Sequence, residues 1–299
     1  MPSAARRSTT APNRQVNRGF QARHLIAFSS VAVALVSSFI VFWRSGAPRC
    51  PPAPDAMTTV YCGVDLAAFA SGDGNVIQVV NSKWSPDERA DHIVQTWIDL
   101  SDGSTLQYIE AIAQAVIEDA TSPNVLLLGL GGGSLPFLLS KSTINYTLTA
   151  VDISNDALEI TRRFVVPDDG VRVRYVCDNA FAFLADAPSD AFDIVISDVY
   201  IGSKSGIGRT SAMTFFAEAY RVLKSTGATF IMNCFDMGNA LDRSNAVADT
   251  LRTVFDDVAL YQVDDELDSN ILLLAWKGDH DDEEQPRAAA AHPEKDPAT

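Results

Sequence analysis

Three aspartates, Asp152, Asp178 and Asp198, each close an apolar run: TLTAVD, VRVRYVCD and FDIVISD. Ahead of them stands NVLLLGLGGGS, residues 124–134. Its first part is an apolar strand, and its glycines, Gly129, Gly131 and Gly133, suit a turn with unusual dihedrals or a backbone that must approach a ligand. The N–H groups at the start of the following helix have no partner within that helix and face whatever lies at the turn. Three carboxylates at successive strand ends beside one glycine turn fit a nucleoside cofactor. Asp152, 23 residues beyond Gly129, can accept hydrogen bonds from both ribose hydroxyls. Asp178, with Asn179 beside it, can accept from the exocyclic amine of adenine. Asp198, followed by Tyr200, faces the reacting end. A strand-end aspartate is also a common helix N-cap, and Asp178 is open to that role. No His–Cys or His–Asp spacing marks a metal site, and His24, His92, His280 and His292 are scattered.

The surrounding pattern supplies the elements that must hold these residues. A helix is expected from Ser104 to Asp119, with Leu106, Ile109, Ala113, Val116 and Ile117 on one face. Strands then alternate with helices: strand 124–129, helix 133–141, strand 147–152, helix 155–164, strand 171–177, helix 179–185, strand 192–198, helix 210–223, strand 227–234 and helix 240–254. Strands 256–263 and 269–276 close the series with a short connection. Alternation of this kind predicts an α/β fold, a doubly wound and mostly parallel seven-stranded sheet with an antiparallel edge hairpin. In such sheets ligands bind beyond the carboxyl ends of the strands, where strand order reverses. Residues 75–81 and 92–98 read as strands of a small N-terminal β region, 75–103, ahead of the cofactor-binding domain, 104–277.

The ends of the chain differ in charge. Of 299 residues, 38 are acidic and 23 are Lys or Arg. Seven arginines and no acid precede Asp55. The acidic remainder argues against a nucleic-acid partner. Residues 1–24 read as a basic disordered tail. Residues 25–43, LIAFSSVAVALVSSFIVFW, carry no charge and at ~1.5 Å per residue reach roughly 28 Å, about a bilayer core. A single transmembrane anchor is expected there, with a cleaved signal or a transit peptide as the rival readings. Five arginines before the span place the N-terminus in the cytosol, unless the leader targets an organelle. Residues 44–74 read as a Pro-rich linker and 278–299 as a disordered acidic and Ala/Pro-rich tail. Cys50 and Cys62 can pair in an oxidising compartment. Cys177 and Cys234 read as small core residues.

The glycine turn departs from the dinucleotide pattern G-x-G-x-x-G/A, because its sixth position is Ser134. Together with AVDIS, VCDNA and FDIVISDVY, VLLLGLGGGSLP resembles the class I S-adenosylmethionine-dependent methyltransferase fold, and within it the spermidine synthases and their methyltransferase relatives. The resemblance spans residues 75–276 and includes Tyr108-Ile109-Glu110, similar to the Tyr-x-Glu of spermidine synthases. It implies that Gly129, Gly131 and Gly133 cradle the cofactor's amino-acid portion. It gives Asp152 the ribose and Asp178 the adenine amine, and makes Asp198 the acid that takes the nucleophile's proton. Tyr108 and Tyr200 would line the acceptor pocket.

The departures from that family divide the functional readings. Spermidine synthases carry an Asp where this chain has Gly132, and that acid suits a decarboxylated donor. Opposite the carboxylate of intact S-adenosylmethionine, an Asp at ~4 Å would cost on the order of 4 kcal/mol at an effective dielectric of ~20. The second acid of their Asp-x-x-Asp is here Ile201. The leading expectation is methyl transfer from S-adenosylmethionine to a small-molecule or protein amine, by in-line displacement. Aminopropyl transfer from decarboxylated S-adenosylmethionine and a non-catalytic binding protein are the alternatives. A homodimer is left open, and the loop IGSKSGIGRTS after Tyr200 reads as a lid or as a solvated connection.

Overall fold

A computed structural model describes residues 50–81, 94–119, 122–167, 171–199, 209–235, 240–264 and 269–278. Two sheets form. Strands β1 (Met57–Cys62), β2 (Leu66–Ser71), β3 (Val76–Asn81) and β4 (Val94–Asp99) make an antiparallel meander. After helix α1 (Gln107–Asp119) comes the alternating series: β5 (Asn124–Leu128), α2 (Ser134–Lys141), β6 (Thr147–Asp152), α3 (Asn155–Ile160), β7 (Val173–Cys177), α4 (Ala180–Asp186), β8 (Ile194–Ser197), α5 (Arg209–Val222), β9 (Ala228–Phe235) and α6 (Ala240–Leu251). Strands β10 (Asp257–Asp264) and β11 (Ser269–Lys277) complete a sheet of order β10-β11-β9-β8-β5-β6-β7. Only β11 runs against its neighbours: it pairs antiparallel with both β9 and β10, and β10 is the outermost strand. This is the predicted doubly wound sheet with its edge hairpin.

Both faces of the large sheet are buried, which is why its strands read as continuous apolar runs. Val125 and Leu127 of β5 join one core with Ile109, Ile112 and Val116 of α1, Leu135 and Leu139 of α2, and Leu158 of α3. Leu126 and Leu128 point the other way, into a core with Leu184 of α4, Phe215 and Phe216 of α5, and Leu251 of α6. The period-two alternation of a strand thus divides one apolar run between two cores. The α3 helix widens into a π turn over Thr161–Val165, beginning at a threonine whose hydroxyl is buried without a partner.

The segment expected as a Pro-rich linker, 44–74, is corrected by β1 and β2, which lie inside it and extend the N-terminal sheet to four strands. The prolines end at Pro54. Beyond them LAAFAS is rich in small residues of low β-propensity, so its pattern alone gives little strand signal. The helix expected from Ser104 starts later, because Thr105 bridges to Ile98 of β4 before the chain turns into α1. Cys50 and Cys62 are disulfide-bonded, tying the approach segment to the end of β1. Cys234 is buried as expected, but Cys177 is exposed, because it ends β7 at the open edge of the sheet. The expected span 25–43, the expected tail 1–24 and, from residue 279 on, the expected tail 278–299 lie outside the described residues. Among the described residues no helix is long and apolar enough to cross a membrane.

One buried carboxylate joins the two sheets. Asp156, in the first turn of α3, accepts from the Tyr61 hydroxyl at 2.8 Å and from the backbone N–H groups of Asp65 at 2.7 Å and Leu66 at 3.2 Å. A Cβ on Gly63 would overlap the Asp156 carboxyl, so the β1–β2 turn closes directly over it. Burial alone would raise the Asp156 carboxyl, but the donors from Asp65, Tyr61 and Leu66 outweigh it and hold the group below its usual range. Burial and the same carboxylate push the Tyr61 hydroxyl up to about 12. A depressed carboxyl stabilises the fold above the unfolded value and loses that contribution as pH falls through the folded one. Asp156→Ala is expected to cost about 2 kcal/mol and lower the melting temperature by about 4–8 °C at neutral pH. The deficit should shrink as pH falls below ~4, the ordinary carboxylate range, in calorimetric melts run against pH.

Candidate functional site

Strand order reverses at β5, which has β6 on one side and β8 on the other. The crevice beyond their carboxyl ends holds the glycine turn, Asp152 and Asp198. Backbone bonds lock these ends together: Gly129 donates to Val151 O at 2.8 Å, Asp198 to Leu128 O at 2.8 Å and Asp178 to Asp152 O at 3.0 Å.

The glycines have separate reasons. Gly129 has φ +90°, and a Cβ there would overlap the Asp198 carbonyl oxygen and lie 2.7 Å from its carbon. Gly133, the N-cap of α2, has φ +89°, and its Cβ would stand 2.5 Å from Thr161 Cγ2. Gly132 has no unusual dihedral to explain it, but a Cβ there would overlap Thr96 Cγ2 and lie 2.7 Å from Val79 Cγ2. Gly131 is different: a Cβ would meet nothing nearer than Gln95 O at 3.6 Å, so space opens above it. The Thr96 and Ser134 hydroxyls, 2.5 Å apart, join the N-terminal sheet to the first residue of α2.

Asp152 sits where its carboxylate can serve the turn and a ligand together. One oxygen accepts from Leu130 N at 2.8 Å and Gly131 N at 3.4 Å, and the other from Ser154 N at 2.8 Å. Ile153 beside it is 72% exposed, a large apolar side chain bared at the same strand end. Asp178 is half-buried and accepts from Asn179 N at 2.7 Å. The N-cap of α4 is Asn179 rather than Asp178: its Oδ1 accepts from Phe181 N at 2.9 Å. Asp178 therefore keeps a carboxylate oxygen for a ligand, while the oxygen of Asn179 is engaged in the helix.

Asp198 forms the floor of a cleft lined by Gln95, Thr96, Tyr108, Gly131 and Ile196. The Asn233 amide donates to its Oδ1 at 2.9 Å, and the Tyr108 hydroxyl donates to its Oδ2 at 3.2 Å. Burial pushes the carboxyl up to about 6. The Asn233 and Tyr108 hydrogen bonds oppose this, and the charge of Asp152 adds to it. Glu110, two residues beyond Tyr108, is exposed and accepts from Thr105 N at 3.2 Å, away from the cleft. Sequence reasoning missed Asn233 and Gln95. Asn233 is a lone amide near the end of ATFIMNCF, a strand end in the series that supplied the three aspartates, and that was the available signal. Tyr200 and residues 201–208 lie outside the described residues. Among the described residues no group of three or more His, Cys, Asp or Glu is arranged to hold a metal ion.

These residues fit a nucleoside bearing an amino-acid chain. Open space lies over Gly131, α2 begins without a side-chain cap, and a carboxylate and an apolar side chain meet at the end of β6. Residues 125–227 match a family described as a methyltransferase domain. The chain is 34% identical over 93 residues to the release factor glutamine methyltransferase of Chlorobaculum tepidum, covering 30% of this chain and 31% of that one. It is 30% identical over 183 residues to the polyamine aminopropyltransferase of Pyrobaculum neutrophilum, covering 57% of this chain and 62% of the relative. It thus spans under two thirds of either relative. A probable spermidine synthase from Corynebacterium glutamicum shares the fold, with TM-score 0.62, 18% identity and coverage of 78% and 84%. Residues 125–227 thus resemble a methyltransferase domain, and the likeness to the solved structure shows the fold.

Gly129→Ala tests the close approach of β5 and β8. The added methyl meets backbone rather than a movable side chain, and the positive φ adds strain. Loss of about 2–4 kcal/mol is expected, read as a lower denaturant midpoint with an unchanged slope.

Proposed function

We propose that this chain is a methyltransferase that uses intact S-adenosylmethionine and transfers its methyl group to an amine held at Asp198. The observation that carries this reading is Gly132. An acid in the glycine turn would suit a decarboxylated donor, and here Thr96 and Val79 press on that position so closely that no side chain fits. Bound S-adenosylmethionine supplies a methyl group on a sulfonium, open to displacement by a nucleophile. The chain's own residues do the rest. The glycine turn and the start of α2 receive the amino-acid portion, Asp152 orients the ribose, and Asp178 receives the adenine amine. The exposed face of Ile153 suits a flat base. Asp198 takes the proton of the attacking amine, and Tyr108 holds the carboxyl toward the cleft. Orientation supplies most of the acceleration in such a site.

A membrane anchor at 25–43 belongs to the same proposal, and the Cys50–Cys62 bond supports placing the domain on an oxidising side. Aminopropyl transfer stays the second reading, favoured by the Tyr108–Asp198 pair that resembles spermidine synthases.

Calorimetric titration of the full-length protein with S-adenosylmethionine and with its decarboxylated form separates the two. At least tenfold preference for the intact cofactor is expected. Preference for the decarboxylated form, with spermidine made from putrescine, would overturn the proposal. Because Asp198 must be ionised to accept a proton, kcat/KM for methyl transfer should rise with pH through about 6. Asp198→Asn should remove that limb and lower kcat by about 10²-fold or more.

A further inference from the structure

Asp198 has two carboxylate oxygens, and the fold treats them differently. Oδ1 is bound by the Asn233 amide at 2.9 Å, and Oδ2 by the Tyr108 hydroxyl at 3.2 Å. Asn233 stands on β9, one residue past Met232, the last β9 residue paired with β8, and opposite Leu272 of β11. It is held by a ladder on one side and reaches the end of β8 on the other. An ionised carboxylate only accepts, so the amide must present its nitrogen. That orientation leaves Asn233 Oδ1 buried with no hydrogen-bond partner. A buried acceptor is rarely left in that state, and here the donor on the same amide is committed to Asp198. Tyr108 differs in kind. Its contact is longer than the usual O–H···O distance of about 2.7–2.8 Å, and a hydroxyl rotates freely about its bond.

We propose that Asn233 is a positioning residue that locks Asp198 Oδ1, so that Oδ2, under the Tyr108 hydroxyl, is the oxygen that takes the acceptor's proton. The inference rests on the proton-accepting role proposed for Asp198. The acceptor's N–H bond breaks, its electron pair stays on nitrogen, and an O–H bond forms at Oδ2. The Tyr108 hydroxyl turns aside to make room. Tyr108 from α1 and Asp152 from β6 are the titratable groups that act on the Asp198 carboxyl among the described residues, and the glycine turn faces it with backbone alone.

The test follows the Asp198 carboxyl directly, in full-length protein labelled with ¹³C-aspartate, its resonance assigned by its loss in Asp198→Asn. Asn233→Leu removes the donor at similar volume and should move the titration upward by about one pH unit. Asn233→Gln keeps a donor one methylene further out and should move it less. Titration unchanged in both variants would overturn the proposal. The same variants are then assayed with methyl-labelled S-adenosylmethionine against putrescine, lysine and a lysine-bearing peptide. The acid limb of kcat/KM should move with the carboxyl, with the KM for S-adenosylmethionine unchanged. A limb that stays in place while the carboxyl shifts would overturn the positioning role. A shifted carboxyl with no methyl transfer to any amine, even by the wild-type protein, would uphold the lock on Oδ1 and overturn the function assigned to the site.

Discussion

Three elements press on the glycine turn, and the site is built from that pressure. The end of β8 lies against Gly129, the N-terminal sheet against Gly132, and the first residue of the π turn against Gly133. Each contact is close enough to exclude even a methyl group. The turn is left with one open side, over Gly131, where a ligand's backbone-like chain can approach. A glycine-rich loop alone would be permissive and poorly ordered, since glycine loses the most freedom on folding. Compression by three packed neighbours fixes its shape and aims its N–H groups.

The same packing makes the N-terminal sheet part of the site. Its β4 strand carries Thr96 onto Gly132 and Ser134, and Gln95 above Gly131. Its β1–β2 turn fastens to Asp156, four residues beyond Asp152. The two attachments flank the crevice beyond β5 and β6. Loosening the sheet would therefore act on the site twice, once through the turn and once through the start of α3.

Legibility in the sequence followed the range of the interactions. The parallel strands were readable because burial on both faces writes continuous apolar runs, and the aspartates because each stands at the end of one. The Tyr108–Asp198 contact spans 90 positions; the family resemblance singled out each residue, but nothing in the sequence joined the two. Asp156 was not singled out, and nothing local marks it as the receiver of three donors from residues 61–66. β1 and β2 were hidden by small residues and by nearby prolines. Cys177 was read as core as a lone cysteine beside a strand end, but β7 is an edge strand and its end is open. Asn233 needed the strand order: only when β9 is known to lie beside β8 does its amide come within reach of Asp198.

The proton-accepting role proposed for Asp198 places two opposed demands on it. A carboxyl must be buried enough to be a useful base, since in water its affinity for protons is too low. Burial alone would carry it higher still. Donors from α1 and β9 hold the balance at about 6, where the carboxylate still ionises in ordinary conditions and retains more basicity than a free one. Those donors come from elements separated by the whole αβ series, so the balance exists only in the folded sheet. The glycine turn supplies the remaining condition, because the absence of a side chain at Gly129 lets the end of β8 come close enough for Asp198 to lie at the cleft floor.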